Sequence, residues 1–239
     1  MNIEVLVNAD SAAERAASII ADYAWETIAS RGSFIMAVSG GHTPWIMLRW
    51  LAAAHIPWRA VHVVQVDERV APAGHPDRNL THLRKSLLAD SSLPPDQLYA
   101  MPVESPDLEA AAGSYAATLR TIAGELPVID LVHLGLGPDG HTASLVPGDP
   151  VLDVDDADVA LSGPYQGRRR MTLTYPILNR ARRILWVVTG AEKAGIVNRL
   201  LEGDRGVPAG RVRNDQALLL ADCAAAPGCT SKTGGVVCA

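Results

Sequence analysis

Cysteine is scarce and confined. The 239 residues hold three, Cys223, Cys229 and Cys238, all near the carboxyl end. An odd number absent from the body of the chain argues against a disulfide framework, and the spacings fit no common zinc motif. A reducing compartment, the cytoplasm, is the expected location. Long apolar runs are missing too: none approaches the ~18 residues a membrane helix needs. The opening Met-Asn-Ile-Glu has no basic start followed by an apolar stretch, so no export signal is expected. Positive charge is short as well, with 21 Lys plus Arg against 26 Asp plus Glu, a net charge of −5. Such a chain has no global attraction for nucleic acid or anionic lipid, and an anion can be held only locally.

What is present is ordinary globular material, 48% hydrophobic and 20% charged, which excludes wholesale disorder. Short apolar runs alternate with helical stretches. Strands are expected at residues 3–7, 34–38, 61–66, 98–101, 129–136, 170–174, 184–188 and 216–221. Ser11 with Glu14 reads as a capping box opening a helix that Gly32 stops, and Thr43 with Pro44 reads as a cap with proline at the first helical position. Asn79 and Ser105 read as further caps, opening helices to about residues 88 and 122. Residues 177–182 read as a helical turn or two, and 191–201 as a helix. Residues 147–167, rich in Asp, Gly and Pro, read as loop with a short strand at 159–161. The pattern predicts a three-layer α/β/α domain with a mostly parallel open sheet, Rossmann-like, over residues 1–225, and a flexible tail at 226–239.

Ligands of open parallel sheets bind beyond the carboxyl ends of the strands. Four strand ends carry suitable groups: Ser39-Gly40-Gly41-His42-Thr43-Pro44, Asp67-Glu68-Arg69, Gly137-Pro138-Asp139-Gly140-His141-Thr142 and Thr189-Gly190-Ala191-Glu192-Lys193. The turn from Ser39 to Thr43 runs into a helix amino terminus, where bare N–H groups and the helix dipole favour an anion. Charge-assisted bonds to a phosphate there are worth ~1.5–3 kcal/mol each; a tight turn without a ligand is the plain alternative. A rival reading is that Ala37-Val38-Ser39-Gly40-Gly41 lies one substitution from the G-x-S-x-G elbow of serine hydrolases, although Gly41 and Pro44 suit a backbone cradle better. Gly135 to Gly140 formally matches the dinucleotide fingerprint, but Pro147-Gly148-Asp149-Pro150 leaves no room for the long helix that fingerprint requires.

His141 is the candidate general base, since imidazole takes a proton from water near neutrality, a role worth ~10²–10⁴ in rate. Asp139 either orients it or binds a sugar hydroxyl. Asp-x-His also suits a metal, but no second cluster completes such a site, so no metal and no cofactor is expected. Lys193 offers a point charge to a phosphate. Of Arg168-Arg169-Arg170, Arg170 is the member expected to face the crevice; Arg69 and Arg78 flank the loop after the third strand, and either is equally readable as structural.

These four motifs, above all Asp139-Gly140-His141-Thr142-Ala143-Ser144-Leu145, resemble the glucosamine-6-phosphate isomerase/6-phosphogluconolactonase family over about residues 5–225. The resemblance implies the fold shared with glucosamine-6-phosphate deaminase and ribose-5-phosphate isomerase. It also implies a sugar-phosphate substrate held by Ser39, Gly40, Gly41, Thr43, Asp67, Arg69, Arg170 and Lys193. Between the sister activities, the deaminases carry a catalytic glutamate in Phe-Asn-Glu-Pro-Gly, where this chain reads Ser144-Leu145-Val146-Pro147-Gly148. They also tend to read Asp-Glu-Tyr where Asp67-Glu68-Arg69 stands. The resemblance therefore implies hydrolysis of 6-phospho-D-glucono-1,5-lactone in the oxidative pentose phosphate pathway. The alternatives are a deaminase-like enzyme and a non-catalytic sugar-phosphate-binding regulator. Val146, His42 and Arg78 depart from the lactonase pattern, and the role of Arg78 is not carried over. The partner is a small phosphosugar lactone, with no nucleic acid and no membrane, and the chain is expected to be a monomer or weak homo-oligomer.

Overall fold

The computed structural model describes residues 1–228. In chain order it forms β1 (Asn2–Leu6), α1 (Ala9–Arg31), β2 (Phe34–Val38), α2 (His42–Ala52), β3 (Val61–Gln65), β4 (Asp67–Arg69), α3 (Asn79–Leu83), β5 (Leu98–Tyr99), α4 (Leu108–Ala123) and β6 (Leu131–Leu134). Then follow β7 (Val159–Tyr165), β8 (Arg168–Leu173), α5 (Tyr175–Arg180), β9 (Arg183–Val188), α6 (Ala194–Leu201) and β10 (Ala217–Asp222). Seven strands make one sheet in the order β1-β10-β9-β6-β2-β3-β5, and every pairing in it is parallel.

Alternation along the central strands builds a core on each face. From β2, Phe34, Met36 and Val38 join Val63, Leu131, Leu185 and Val187 beneath α1 and α2. Ile35 and Ala37 face the other way, with Val64, Val132, Leu134 and Trp186, against Tyr115 and Leu119 of α4 and Val197 and Leu200 of α6. The buried stripe of α1 is mostly alanine (Ala12, Ala13, Ala16, Ala17 and Ala24), which lets that long helix lie close to its neighbours. This is the three-layer α/β arrangement the sequence implies.

A second sheet, β4-β8-β7, is antiparallel. It corrects two expectations. Asp67-Glu68-Arg69 is not loop: past Val66 the chain leaves the parallel sheet and pairs with β8, Asp67 opposite Thr172 and Arg69 opposite Arg170. The strand expected at 159–161 is also longer, because β7 runs to Tyr165 before the chain turns back through Gln166 (φ 52°) and Gly167 (φ 76°). Two left-handed residues in a two-residue connection match the twist of a hairpin.

The helix starts are also displaced. Asn8, not Ser11, caps α1 by accepting the Ser11 N–H at 2.9 Å. Gly41 precedes α2 where Thr43 was expected to cap, and the Thr43 hydroxyl instead meets that of Thr189 at 2.7 Å. Asp107 caps α4 by accepting from Ala110, while Ser105 only supports the preceding turn. Asn79 opens α3 without capping it, and the expected single helix continues from Arg84 to Leu88 as a π turn. The helix expected over 191–201 is a 3₁₀ turn, Ala191–Lys193, followed by α6.

At the carboxyl edge Ala226 is buried, with its N–H on the Asp222 carbonyl, so it belongs to the packed body and not to a tail. Cys223 is disulfide-bonded, where the odd number of cysteines argued against a disulfide framework. Cys229, Cys238 and the rest of the expected flexible tail lie outside the described residues. No helix among those described is long and apolar enough to cross a membrane.

His133 of β6 is wholly buried beneath the β2–α2 turn, its Nδ1 accepting the Ser39 N–H at 3.3 Å. Burial pushes its pKa from 6.5 down to about 4. The unfolded chain therefore binds a proton in that interval that the folded chain refuses, so stability falls as pH drops from 6.5 towards 4, by about 3 kcal/mol in total. In His133→Asn, which keeps an acceptor for Ser39, urea titrations at stepped pH are expected to lose most of that slope. An unchanged slope overturns the assignment.

Candidate active site

The chain proceeds from β2 to β3 and β5 on one side, and from β6 to β9 and β10 on the other. Between β2 and β6 the connections diverge, and a cleft opens at the carboxyl edge of the sheet. Its volume is about 480 Å³. Ser39, Gly40, Gly41, Thr43, Asp67, Arg69, His141, Arg170 and Lys193 all line it. Nine of the ten residues singled out in the sequence thus converge on one space. The tenth, Asp139, lies behind His141, its Oδ1 2.6 Å from Nδ1 of the imidazole.

That contact decides how the imidazole can act. With Nδ1 engaged by Asp139, Nε2 is the nitrogen left to exchange a proton in the cleft. Partial burial works to raise the Asp139 pKa, but hydrogen bonds from His141 and Tyr165 outweigh it and hold the carboxyl below its usual range. The Tyr165 hydroxyl donates to Asp139 Oδ2 at 3.1 Å. Gly137 serves the ring directly: a Cβ there would collide with the His141 imidazole. No dinucleotide fingerprint exists here, since the chain after Gly140 makes a Thr142–Leu145 bridge instead of a helix.

The opposite wall is cationic. Arg69 and Arg170 stand directly across from each other in the β4–β8 ladder, a placement that costs stability for like charges unless an anion joins them. Each has a buried Nε with no hydrogen-bond partner. Arg170 is 3% exposed; burial, then the charge of Arg69, lowers its pKa, against the opposing pull of Asp67. Asp67 itself is occupied, accepting from Ser144 Oγ at 2.7 Å and from Asn79 Nδ2 at 3.1 Å, with Arg170 3.8 Å away. Its carboxylate holds the wall in place.

Asn79 joins the wall to the turn after β2: its Oδ1 accepts from Arg69 at 2.6 Å, and it packs on Gly40 so closely that any side chain there would collide with it. The third wall comes from the loop after β9, where the Thr43–Thr189 contact sets the 39–43 turn beside Lys193. Arg78 takes no part. It is buried, pairs with Glu68 at 3.2 Å and Glu104 at 2.7 Å, and is structural.

The serine-elbow reading fails on geometry, because Ser39 is buried and its hydroxyl donates to the His133 carbonyl at 3.0 Å. Among the described residues no group of three or more His, Cys, Asp or Glu side chains is arranged to hold a metal. Sequence reasoning missed Asn79, Gln166 and Tyr165. The usable signal for the last two was Gln166-Gly167 between apolar runs, a hairpin turn that places its neighbours at a sheet's end.

The comparisons with known proteins bear on the family and the fold. A model of the family described as glucosamine-6-phosphate isomerases/6-phosphogluconolactonase matches residues 7–220. The chain is 38% identical over 195 residues to a 6-phosphogluconolactonase of Synechocystis, covering 80% of this chain and 81% of that one. It superposes on a 6-phosphogluconolactonase structure from Thermotoga maritima with a TM-score of 0.83 at 25% identity, over 92% of this chain and 98% of that chain. A monomeric glucosamine-6-phosphate deaminase shares the fold, with a TM-score of 0.82 at 20% identity over 94% and 98% of the two chains. Fold and site define a sugar-phosphate enzyme of the α/β class. The chain belongs to the glucosamine-6-phosphate isomerase/6-phosphogluconolactonase family, and within it stands with the 6-phosphogluconolactonases.

Gly137→Ala is expected to displace the imidazole and spare the fold. Nitrogen-15 NMR should show the His141 ring resonances moved while the circular dichroism spectrum stays that of the wild type. Unmoved ring resonances would show that Gly137 does not set the position of the imidazole.

Proposed function

We propose that this chain hydrolyses 6-phospho-D-glucono-1,5-lactone to 6-phosphogluconate, with His141 as the general base. The observation that carries the reading is the placement of one imidazole, fixed through Nδ1 by Asp139, across a cleft from Arg69 and Arg170, which face each other and each keep a buried Nε without a hydrogen-bond partner. A neutral Nε2 accepts a proton from water as the oxygen attacks the lactone carbonyl. The tetrahedral intermediate collapses with loss of the ring oxygen, which takes the proton back from His141, and the ring opens to the acid. The main-chain N–H groups near Gly40 and Gly41, or Arg69, balance the developing oxyanion. The 39–43 turn, Lys193 and Arg170 hold the phosphate. Lactones open readily, so one base with positioning suffices and the reaction needs no cofactor. The oxidative pentose phosphate pathway is where such a reaction belongs.

The surroundings of Val146 favour this over deamination. Val146 is a buried apolar residue where the deaminase resemblance places an acid. The nearest alternative, Asp149, spends both oxygens on the N–H groups of Val151 at 2.9 Å and Gly163 at 2.8 Å. Neither Val146 nor Asp149 therefore has a free carboxyl to carry the extra proton.

Freshly prepared lactone given to purified protein should release acid well above the spontaneous rate, and glucosamine 6-phosphate should release no ammonia. His141→Ala is expected to lower kcat by ~10²–10⁴. Lys193→Ala is expected to act mainly on KM, through one lost charge-assisted contact worth about tenfold or more. A folded His141→Ala protein as active as wild type sinks the mechanism. Ligand-induced thermal stabilisation without turnover would leave a binding protein instead.

A further inference from the structure

Tyr165 belongs to none of the motifs from which the site was read, yet it touches both working halves of the cleft. It ends β7, at the tip of the hairpin of the second sheet. Its hydroxyl donates to Asp139 Oδ2 at 3.1 Å and lies 3.4 Å from His141 Nδ1. Its ring meets the imidazole edge-on, centroids 5.1 Å apart at 63°. On the other side the Arg170 guanidinium sits 5.0 Å from the same ring's centroid. The hairpin completes the hold, because Arg170 also donates to the Tyr165 carbonyl at 3.4 Å and to Gln166 Oε1 at 3.3 Å.

We infer that Tyr165 is a positioning residue that couples the general base to the anion-binding arginine: its hydroxyl sets the Asp139–His141 pair, and its ring sets Arg170. This rests on the lactonase reading for its kinetic consequences, not for its geometry. The two functions are separable because they use different atoms. The hydroxyl acts on the carboxylate–imidazole side, the π face holds the cation, and the edge-on contact of the ring with the imidazole is kept in Tyr165→Phe. The phenol stays a donor at working pH, since burial and the neighbouring Asp139 charge both raise its pKa.

Sharing Asp139 also has a direction. A carboxylate that accepts from Tyr165 has less charge to offer an imidazolium, so removing the hydroxyl strengthens the hold of Asp139 on a protonated His141. The other titratable or charged groups lining the cleft are His42 from α2, Arg170 from β8, Asp67 and Arg69 from β4, and Glu192 and Lys193 after β9. A substitution of the hydroxyl alone leaves all of these in place.

The test compares Tyr165→Phe with Tyr165→Leu in the full chain. Tyr165→Phe should lose about 10- to 100-fold in kcat, the worth of one hydrogen bond to a charged group. Its KM should be unchanged, and the acid limb of its rate–pH profile should move to higher pH. Tyr165→Leu should show the same loss and, in addition, a KM raised severalfold. NMR titration of the His141 ring in substrate-free Tyr165→Phe should move the same way as the limb, a readout independent of any activity. Wild-type turnover with a Phe variant indistinguishable in kcat, pH profile and ring titration overturns the inference. So does equal damage to kcat and KM in both variants. Absence of wild-type lactone turnover would count against the function alone, because the ring titration still tests the role of Tyr165.

Discussion

The Glu68 carboxylate is the contact on which the cationic side of the site depends. Fully buried, it accepts from the N–H groups of Arg69, Asn79 and Leu80, each at 2.8 Å, and from Gln65 Nε2 at 2.9 Å, with Arg78 3.2 Å away. A buried carboxylate persists only when its lone pairs are used, and here those bonds fasten β4 to the first turn of α3. Side chains alternate along β4, so placing Glu68 inward turns Asp67 and Arg69 to the other face, which is the cleft. Asn79 is brought beside them by the same carboxylate.

The cleft thus joins two sheets with different tasks. The parallel sheet, through the divergence at β2 and β6, delivers backbone N–H groups and the imidazole. The antiparallel sheet delivers Arg69, Arg170, Gln166 and Tyr165. Neither sheet alone makes the cleft: the first lacks the paired cations, and the second lacks the imidazole. Three contacts lock the sheets together, Asn79 on Gly40, Ser144 on Asp67 and Tyr165 on Asp139. Catalytic geometry here is a property of their junction.

Much of this was legible along the chain because the signals are local. The parallel strands read as apolar runs, and the chemistry falls immediately after them, where Ser39, His141 and Lys193 were found. The second sheet was less legible. Three-residue β4 is too short for periodicity to show, and β7 is broken by Gly163 and Pro164, which resemble loop. Cap positions slipped for a related reason. Thr43 and Asn79 are good caps in isolation, but tertiary partners, Thr189 and the Asp67–Arg69 pair, claimed their side chains first.

The sequence by itself determined the layered α/β class and the loops that line the cleft, because apolar periodicity and glycine-rich strand ends depend on near neighbours. Only the tertiary structure decided that Arg69 faces Arg170, that Arg78 is buried with Glu68 and that Tyr165 rests on Asp139. Those pairings join residues far apart in the chain, and long-range registry is set by how the sheets pack, which no local pattern encodes.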